Sequence, residues 1–140
     1  MAIRHIFQRY DRDCGIAVAA MIARVPYRKA ERAAIELFTT KGAYSGLTSS
    51  SLLDLLKELK RNKWSKIRGR RKRIADHPSH PKPIAVLVRP SDRRCRHWIA
   101  ICGGRVYDPE LWNPVDLRAY RKRDWKVILS VVPAPHRLSD

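Results

Sequence analysis

Part-way along the chain the hydrophobic period changes, and that change limits the folds open to it. From Cys14 to about Leu59 apolar residues recur every three or four positions. Beyond the stretch His77 to Pro83, which holds three prolines, they come instead in short continuous or alternating runs. In the first half, CGIAVAAMIARV places Val18, Met21, Ile22 and Val25 on one helical stripe that opens at Cys14, with Asp11 and Asp13 placed to cap it. Pro26 suits the start of a second helix from Tyr27 to Phe38, with Ala30, Ala33, Ala34 and Leu37 on one face. Thr39 to Ser51 reads as a loop ending in a Ser/Thr cluster fit for capping. Leu52, Leu55, Leu56 and Leu59 then mark a third helix that dissolves into basic residues beyond Lys60. In the second half, PIAVLVRP, HWIAIC, RVY and KVILSVV read as strands. Their connections are too short for parallel crossovers except around Asp116 to Tyr120, so the sheet is expected to be antiparallel. The predicted class is α+β in a single domain over residues 1–140, helical over about 1–76 and sheet over about 83–133, with a loose tail from Pro133.

Four residues within this frame carry chemistry as a set. A thiol attacks a carbonyl as thiolate, and an ordinary cysteine, with a pKa of about 8.5, is only slightly ionised at neutral pH. Cys14, in the first turn of its helix, sits where the dipole supplies partial positive charge. Gln8, on the segment entering that turn, can offer its amide to an oxyanion beside the Cys14 N–H. His97 opens the strand HWIAIC. Gly103-Gly104 reads as a hairpin turn, and the strand Arg105-Val106-Tyr107 after it leads to Asp108, returning that carboxylate toward His97 as a partner for the imidazole. Taken singly, each has a plain structural explanation: a small buried thiol, a core histidine, an Asp-Pro turn.

The segment from Gln8 to Met21, with Asp13-Cys14-Gly15, together with His97-Trp98-Ile99 and Val106-Tyr107-Asp108-Pro109, resembles the papain-like cysteine peptidases that process double-glycine leaders of bacteriocins, and their stand-alone relatives. The resemblance runs from about Gln8 to Pro133. It implies a papain-like fold, a helical lobe on an antiparallel sheet with the site between them. It also implies Cys14 as nucleophile, Gln8 in the oxyanion hole, and His97 and Asp108 as the rest of a triad. The residues flanking Cys14 differ from those of the papain and cathepsin branch, and the membrane and nucleotide-binding domains of transporter-linked members are missing from this sequence. The implied activity is a cysteine peptidase acting on a peptide or protein. The same groups also serve deamidation, transglutamination and acyl transfer.

Charge is the other unusual property. Thirty Lys and Arg against thirteen Asp and Glu give a net charge of +17 over 140 residues. Much of it lies between Lys57 and Arg73, where Lys57, Lys60, Arg61, Lys63, Lys66, Arg68, Arg70, Arg71, Lys72 and Arg73 face only Glu58. Such a run attracts phosphate backbones or acidic proteins, and Trp64 within it is available to stack on a base. It is equally the composition of a solvated, flexible surface segment. A second reading of the whole chain is therefore a basic nucleic-acid- or acidic-protein-binding module on an inactive papain-like scaffold, of phage or mobile-element origin. No cofactor or metal is expected. Cys14, Cys95 and Cys102 form no close ligand pair, and His77 and His80 have no neighbouring cysteine. By period-2 counting Cys102 falls on the strand face opposite His97 and is expected in the core. No apolar run approaches the roughly 20 residues of a membrane span, and the charged N-terminus lacks signal-peptide character, so a cytoplasmic location is expected.

Overall fold

A computed structural model of the chain describes residues 3–60, 63–70, 72–78, 80–90 and 96–134. Helix α1 (Cys14–Ala23) is the pivot of the fold. Its ten residues are all buried, so the expected one-sided stripe is corrected to a helix enclosed on every side. The small side chains of Ala17, Ala19 and Ala20 let α2 (Tyr27–Ala43), α3 (Ser49–Leu59) and the sheet close in around it, while Ile16, Met21 and Ile22 supply the bulk. Burial of each such large side chain stabilises the fold by roughly 1.5–3 kcal/mol. Arg24 ends α1 in the left-handed region at φ 59, with its N–H and that of Val25 turned back onto the last carbonyls. Helix α2 runs one turn beyond its expected end at Phe38. Thr39, at φ 66 and ψ 169, breaks the helical path there, and its hydroxyl accepts from the Gly42 N–H. Thr48 caps α3 as expected, accepting from the Ser51 N–H at 3.1 Å.

Six strands form one antiparallel sheet: β1 (Lys63–Arg68), β2 (Ile84–Arg89), β3 (His97–Cys102), β4 (Arg105–Tyr107), β5 (Val115–Asp116) and β6 (Lys126–Ala134), in the order β1-β6-β2-β3-β4-β5. Four of these match the expected strands. The basic run departs from expectation: KWSKIR is the edge strand β1, paired along its length with β6, so sheet begins at Lys63 rather than near residue 83. Charges on an edge are what keep such a strand from pairing with another chain, and they hide its strand character in the sequence. Strand β6 carries Pro133 and Ala134, which corrects the expected loose start of the tail. Pairing with β2 ends at Val131, leaving Pro133 on a stretch bonded on one side only. The remainder of the tail, residues 135–140, lies outside the described residues, as do Arg61, Arg71 and Cys95.

The sheet has two covered faces. Ala85, Leu87, Trp98, Ala100 and Val131 meet the helices, whereas Ile84, Val86, Ile99, Ile101 and Val132 meet a layer of loops and short turns that includes Ile74, Tyr120 and Trp125. Trp64 is half-buried against the helical side with no hydrogen-bond partner on its indole N–H, so it is core and not an exposed stacking platform. Cys102 is half-buried beside that same core and donates to the Pro81 carbonyl at 3.4 Å. Gly103 and Gly104, at φ 58 and 78, make the tight turn between β3 and β4 that the sequence announces. Among the described residues no helix is long and apolar enough to cross a membrane.

Candidate active site

Helix α1 begins where β3 begins, and the two chain starts place Cys14 and His97 against each other. Both are 8 % exposed, and the sulfur is close enough to the ring to favour its charged form. On the other side of the ring, His97 Nε2 lies 2.7 Å from Asp108 Oδ1, so Nδ1 is the nitrogen left for the sulfur. The β3–β4 hairpin makes this possible, bringing Asp108 back toward the start of β3 as anticipated.

Asp108 is completely buried, and a carboxylate so placed must be fully bonded. Its Oδ1 also accepts from the Glu110 N–H at 2.9 Å, and its Oδ2 accepts from the Tyr120 hydroxyl at 2.6 Å and from the Lys122 ammonium at 3.4 Å. Burial pushes the Asp108 carboxyl up, but the bonds from His97, Tyr120 and the Glu110 amide more than reverse this and hold it well below the usual carboxylate range. Burial likewise depresses His97, and the Asp108 bond and the nearby Cys14 sulfur overcome it, lifting the imidazole to about 9. At neutral pH the ring is therefore a cation between a carboxylate and a sulfur. Burial, and then Asp108, push the Tyr120 phenol far up, so it remains a donor.

Three participants were not legible from spacing alone. Glu110 Oε1 lies 3.2 Å from His97 Nε2 and 3.0 Å from Lys122 Nζ. Tyr120 and Lys122 arrive from the loop after β5, which has no periodicity to announce it. His97, Asp108 and Glu110 offer ligand atoms within 4.8 Å of one another, a spacing a metal ion can use. Here the Lys122 ammonium bridges the two carboxylates and supplies the positive charge, itself resting 4.9 Å above the Trp125 ring.

The segment before Cys14 is tied down at both ends. His5 Nε2 lies 2.6 Å from the Leu111 carbonyl, and the Gln8 N–H donates to the Pro109 carbonyl at 2.8 Å, which lashes the N-terminal segment to the turn carrying Asp108. The Gln8 amide donates to the carbonyls of Tyr10 at 2.7 Å and Asp11 at 3.3 Å, while its Oε1 is buried without a partner. Gln8 thus braces the loop leading to Cys14, with one short and one longer amide bond. Asp13 occupies the N-cap position of α1, but its side chain does not cap. It turns back to accept from the Arg9 and Tyr10 N–H groups at 2.9 and 3.0 Å and from the Tyr27 hydroxyl at 2.6 Å. The expected cap is instead a buried anchor for the bend ahead of the thiol. Asp11, the other expected cap, lines the cleft described next.

Cys14 and His97 open onto a cleft of about 510 Å³ walled by Leu47, Leu87, Trp98 and Trp125, a volume in the range of small-ligand sites. The Trp98 indole donates to the Leu47 carbonyl at 2.8 Å and fixes one wall. Gly15 lets that wall approach, since a Cβ there would lie 3.0 Å from Leu47 Cβ. No protein-family model matches the chain, and comparison with characterised proteins yields no match either.

Proposed function

We propose that the protein is a thiol hydrolase of papain-like fold, a cysteine peptidase that cleaves an amide or peptide bond. The observation that carries this reading is the line Cys14–His97–Asp108 at the edge of a cleft, with a thiol at a helix N-terminus beside an imidazole that is itself bonded to a buried carboxylate. The Cys14 thiolate attacks the carbonyl carbon, and the oxyanion meets the Cys14 N–H, which as a first-turn helix amide has no acceptor within its helix. Gln8 joins it by giving up its longer bond, the one to the Asp11 carbonyl. The His97 imidazolium passes its proton to the leaving nitrogen as the C–N bond breaks, and the amine departs from a thioester on Cys14. Neutral His97 then takes a proton from water, the resulting hydroxide adds to the thioester, and the C–S bond breaks to release the acid and restore the thiolate and imidazolium. Asp108 holds the ring in place and stabilises its charge throughout. The net positive charge favours substrates of acidic character.

The test is capture of the acyl-enzyme. Wild-type protein incubated with a library of peptide and amide substrates is expected to yield a thioester adduct on Cys14 and a released amine. Folded Cys14→Ala and His97→Ala proteins are expected to give neither. Turnover by a correctly folded Cys14→Ala protein would end this reading.

A further inference from the structure

On the sheet face away from the helices lies a second cleft, of about 470 Å³, which shares no lining residue with the one at Cys14. Its walls include the apolar Ile84, Val127 and Val132, and its cations are Arg68, Arg70 and Lys72, from the end of β1 and the turn after it. Arg73 is drawn off by Asp76 at 3.1 Å and Asp124 at 3.2 Å; among the described residues no carboxylate lies within ion-pair distance of Arg68, Arg70 or Lys72, and Asp76 feels the Lys72 charge only from farther off.

Gly69 and Lys72, on either side of this turn, are bonded to β6. The Gly69 N–H donates to the Ile128 carbonyl and the Val127 N–H to the Lys72 carbonyl, both at 2.8 Å. Gly69 has no room for a side chain, since a Cβ would fall 2.0 Å from the Val127 oxygen. Next to it Arg70 sits at φ 53, a conformation that costs a side-chain-bearing residue of order 1 kcal/mol and that glycine would adopt freely. An arginine is thus kept in a costly backbone state at the mouth of a cleft.

Inside the cleft, His77 and Ser130 form a pair. His77 Nδ1 lies 3.0 Å from the Pro78 carbonyl and Nε2 3.1 Å from Ser130 Oγ. Burial lowers the proton affinity of His77, so the ring is neutral: Nδ1–H donates to the carbonyl and Nε2 accepts the Ser130 hydroxyl proton. Ser130, only 6 % exposed, therefore presents lone pairs to the cleft. Apolar walls, an internal acceptor and unpaired cations together suit a flat heterocycle with an N–H or O–H donor and a phosphate. A bare phosphate would leave the walls unfilled and meet an acceptor at Ser130, and a simple aryl phosphate would bring no donor to it.

We infer that this cleft binds a nucleotide unit, with the heterocycle against Ile84, Val127 and Val132, a base or sugar donor on Ser130 Oγ, and the phosphate between Arg70 and Lys72. The site is independent of the thiol chemistry. Its ligand is either a free mononucleotide or one residue of a single-stranded nucleic acid. Fluorescence anisotropy with a labelled short oligodeoxyadenylate at increasing NaCl, and calorimetry with adenosine 5′-monophosphate, separate the two. Binding of the monophosphate assigns the free nucleotide, and binding of the oligomer alone assigns the strand. Arg70→Gly, which relieves the backbone while removing the charge, and Lys72→Gln are each expected to weaken oligomer binding about 5- to 10-fold and to lower the salt slope by about 0.7. Ser130→Val is expected to weaken binding about 5-fold or more without changing the slope, and Cys14→Ala to leave it unchanged. Binding of neither probe would overturn the inference. So would full affinity in Ser130→Val, or an equal loss in the exposed α2 control Lys29→Gln.

Discussion

Replacing Asp108 by asparagine removes one negative charge and almost no volume, which isolates the electrostatic part of the site. An asparagine Oδ1 still accepts from His97 and from the Glu110 N–H, and the Tyr120 hydroxyl can turn to accept from the new amide. The charge that lifts His97 from 6.5 to about 9 against its burial is then missing. At about 1.36 kcal/mol per pH unit, that lift is worth roughly 3 kcal/mol to the folded state. Because the folded value is the higher one, the contribution is fully present below pH 6.5 and is lost as the pH rises through about 9. Cys14 still lies beside the ring in the variant and retains part of the effect. Urea unfolding of wild type and Asp108→Asn is therefore expected to show a stability gap that narrows by roughly 2–3 kcal/mol between about pH 6 and pH 10. A gap of constant size, or one that widens toward pH 10, would refute the reasoning. The variant should keep more activity than His97→Ala, since a neutral partner still orients the ring.

Other consequences follow from single contacts. Tyr120→Phe withdraws a donor from the buried Asp108 carboxylate and is expected to cost about 1–3 kcal/mol by chemical denaturation. Since Asp108 is depressed in the folded state, the difference from wild type should be full above about pH 4 and shrink on acidification. Gly15→Ala drives a methyl into Leu47 and should lower stability by about 1–3 kcal/mol while also slowing turnover, read as melting temperature and hydrolysis rate. Asp13→Ala strands the Arg9 and Tyr10 N–H groups and the Tyr27 hydroxyl; it is expected to reduce hydrolysis and to speed amide exchange in residues 8–13, with α3 unaffected. Thr39→Gly, at a backbone position that glycine tolerates, should leave stability unchanged or raise it by up to about 1 kcal/mol in thermal unfolding.

The parts of this fold that could be read from the sequence are those whose residues repeat. Leu52, Leu55, Leu56 and Leu59 name α3, and the runs around Val86, Ile99 and Val131 name the central strands, because each element buries a periodic face. The helix predicted to end at Phe38 meets its real break at Thr39. Strand β1 was hidden because KWSKIR gains its hydrogen bonds from β6 and only Trp64 from burial, so charge masks its period. That Cys14, His97 and Asp108 come together was legible from the helix start and the hairpin. Asp13, Glu110, Tyr120 and Lys122 were not, because their roles depend on where aperiodic turns place them. The carbonyls of Tyr10 and Asp11 that hold the Gln8 amide are set by the turn, and no spacing rule reveals them.

The proposed chemistry needs an activated thiol at Cys14, and selective alkylation reads that out. Limited iodoacetamide labelling at about pH 6, where an ordinary thiol is almost wholly protonated, would be followed by intact mass and peptide mapping in wild type, Cys14→Ala and His97→Ala. One fast adduct on Cys14 is expected, absent in the first variant and markedly slower in the second. Cys14 labelling no faster than Cys102, or unchanged by loss of His97 in a folded protein, would contradict that chemistry.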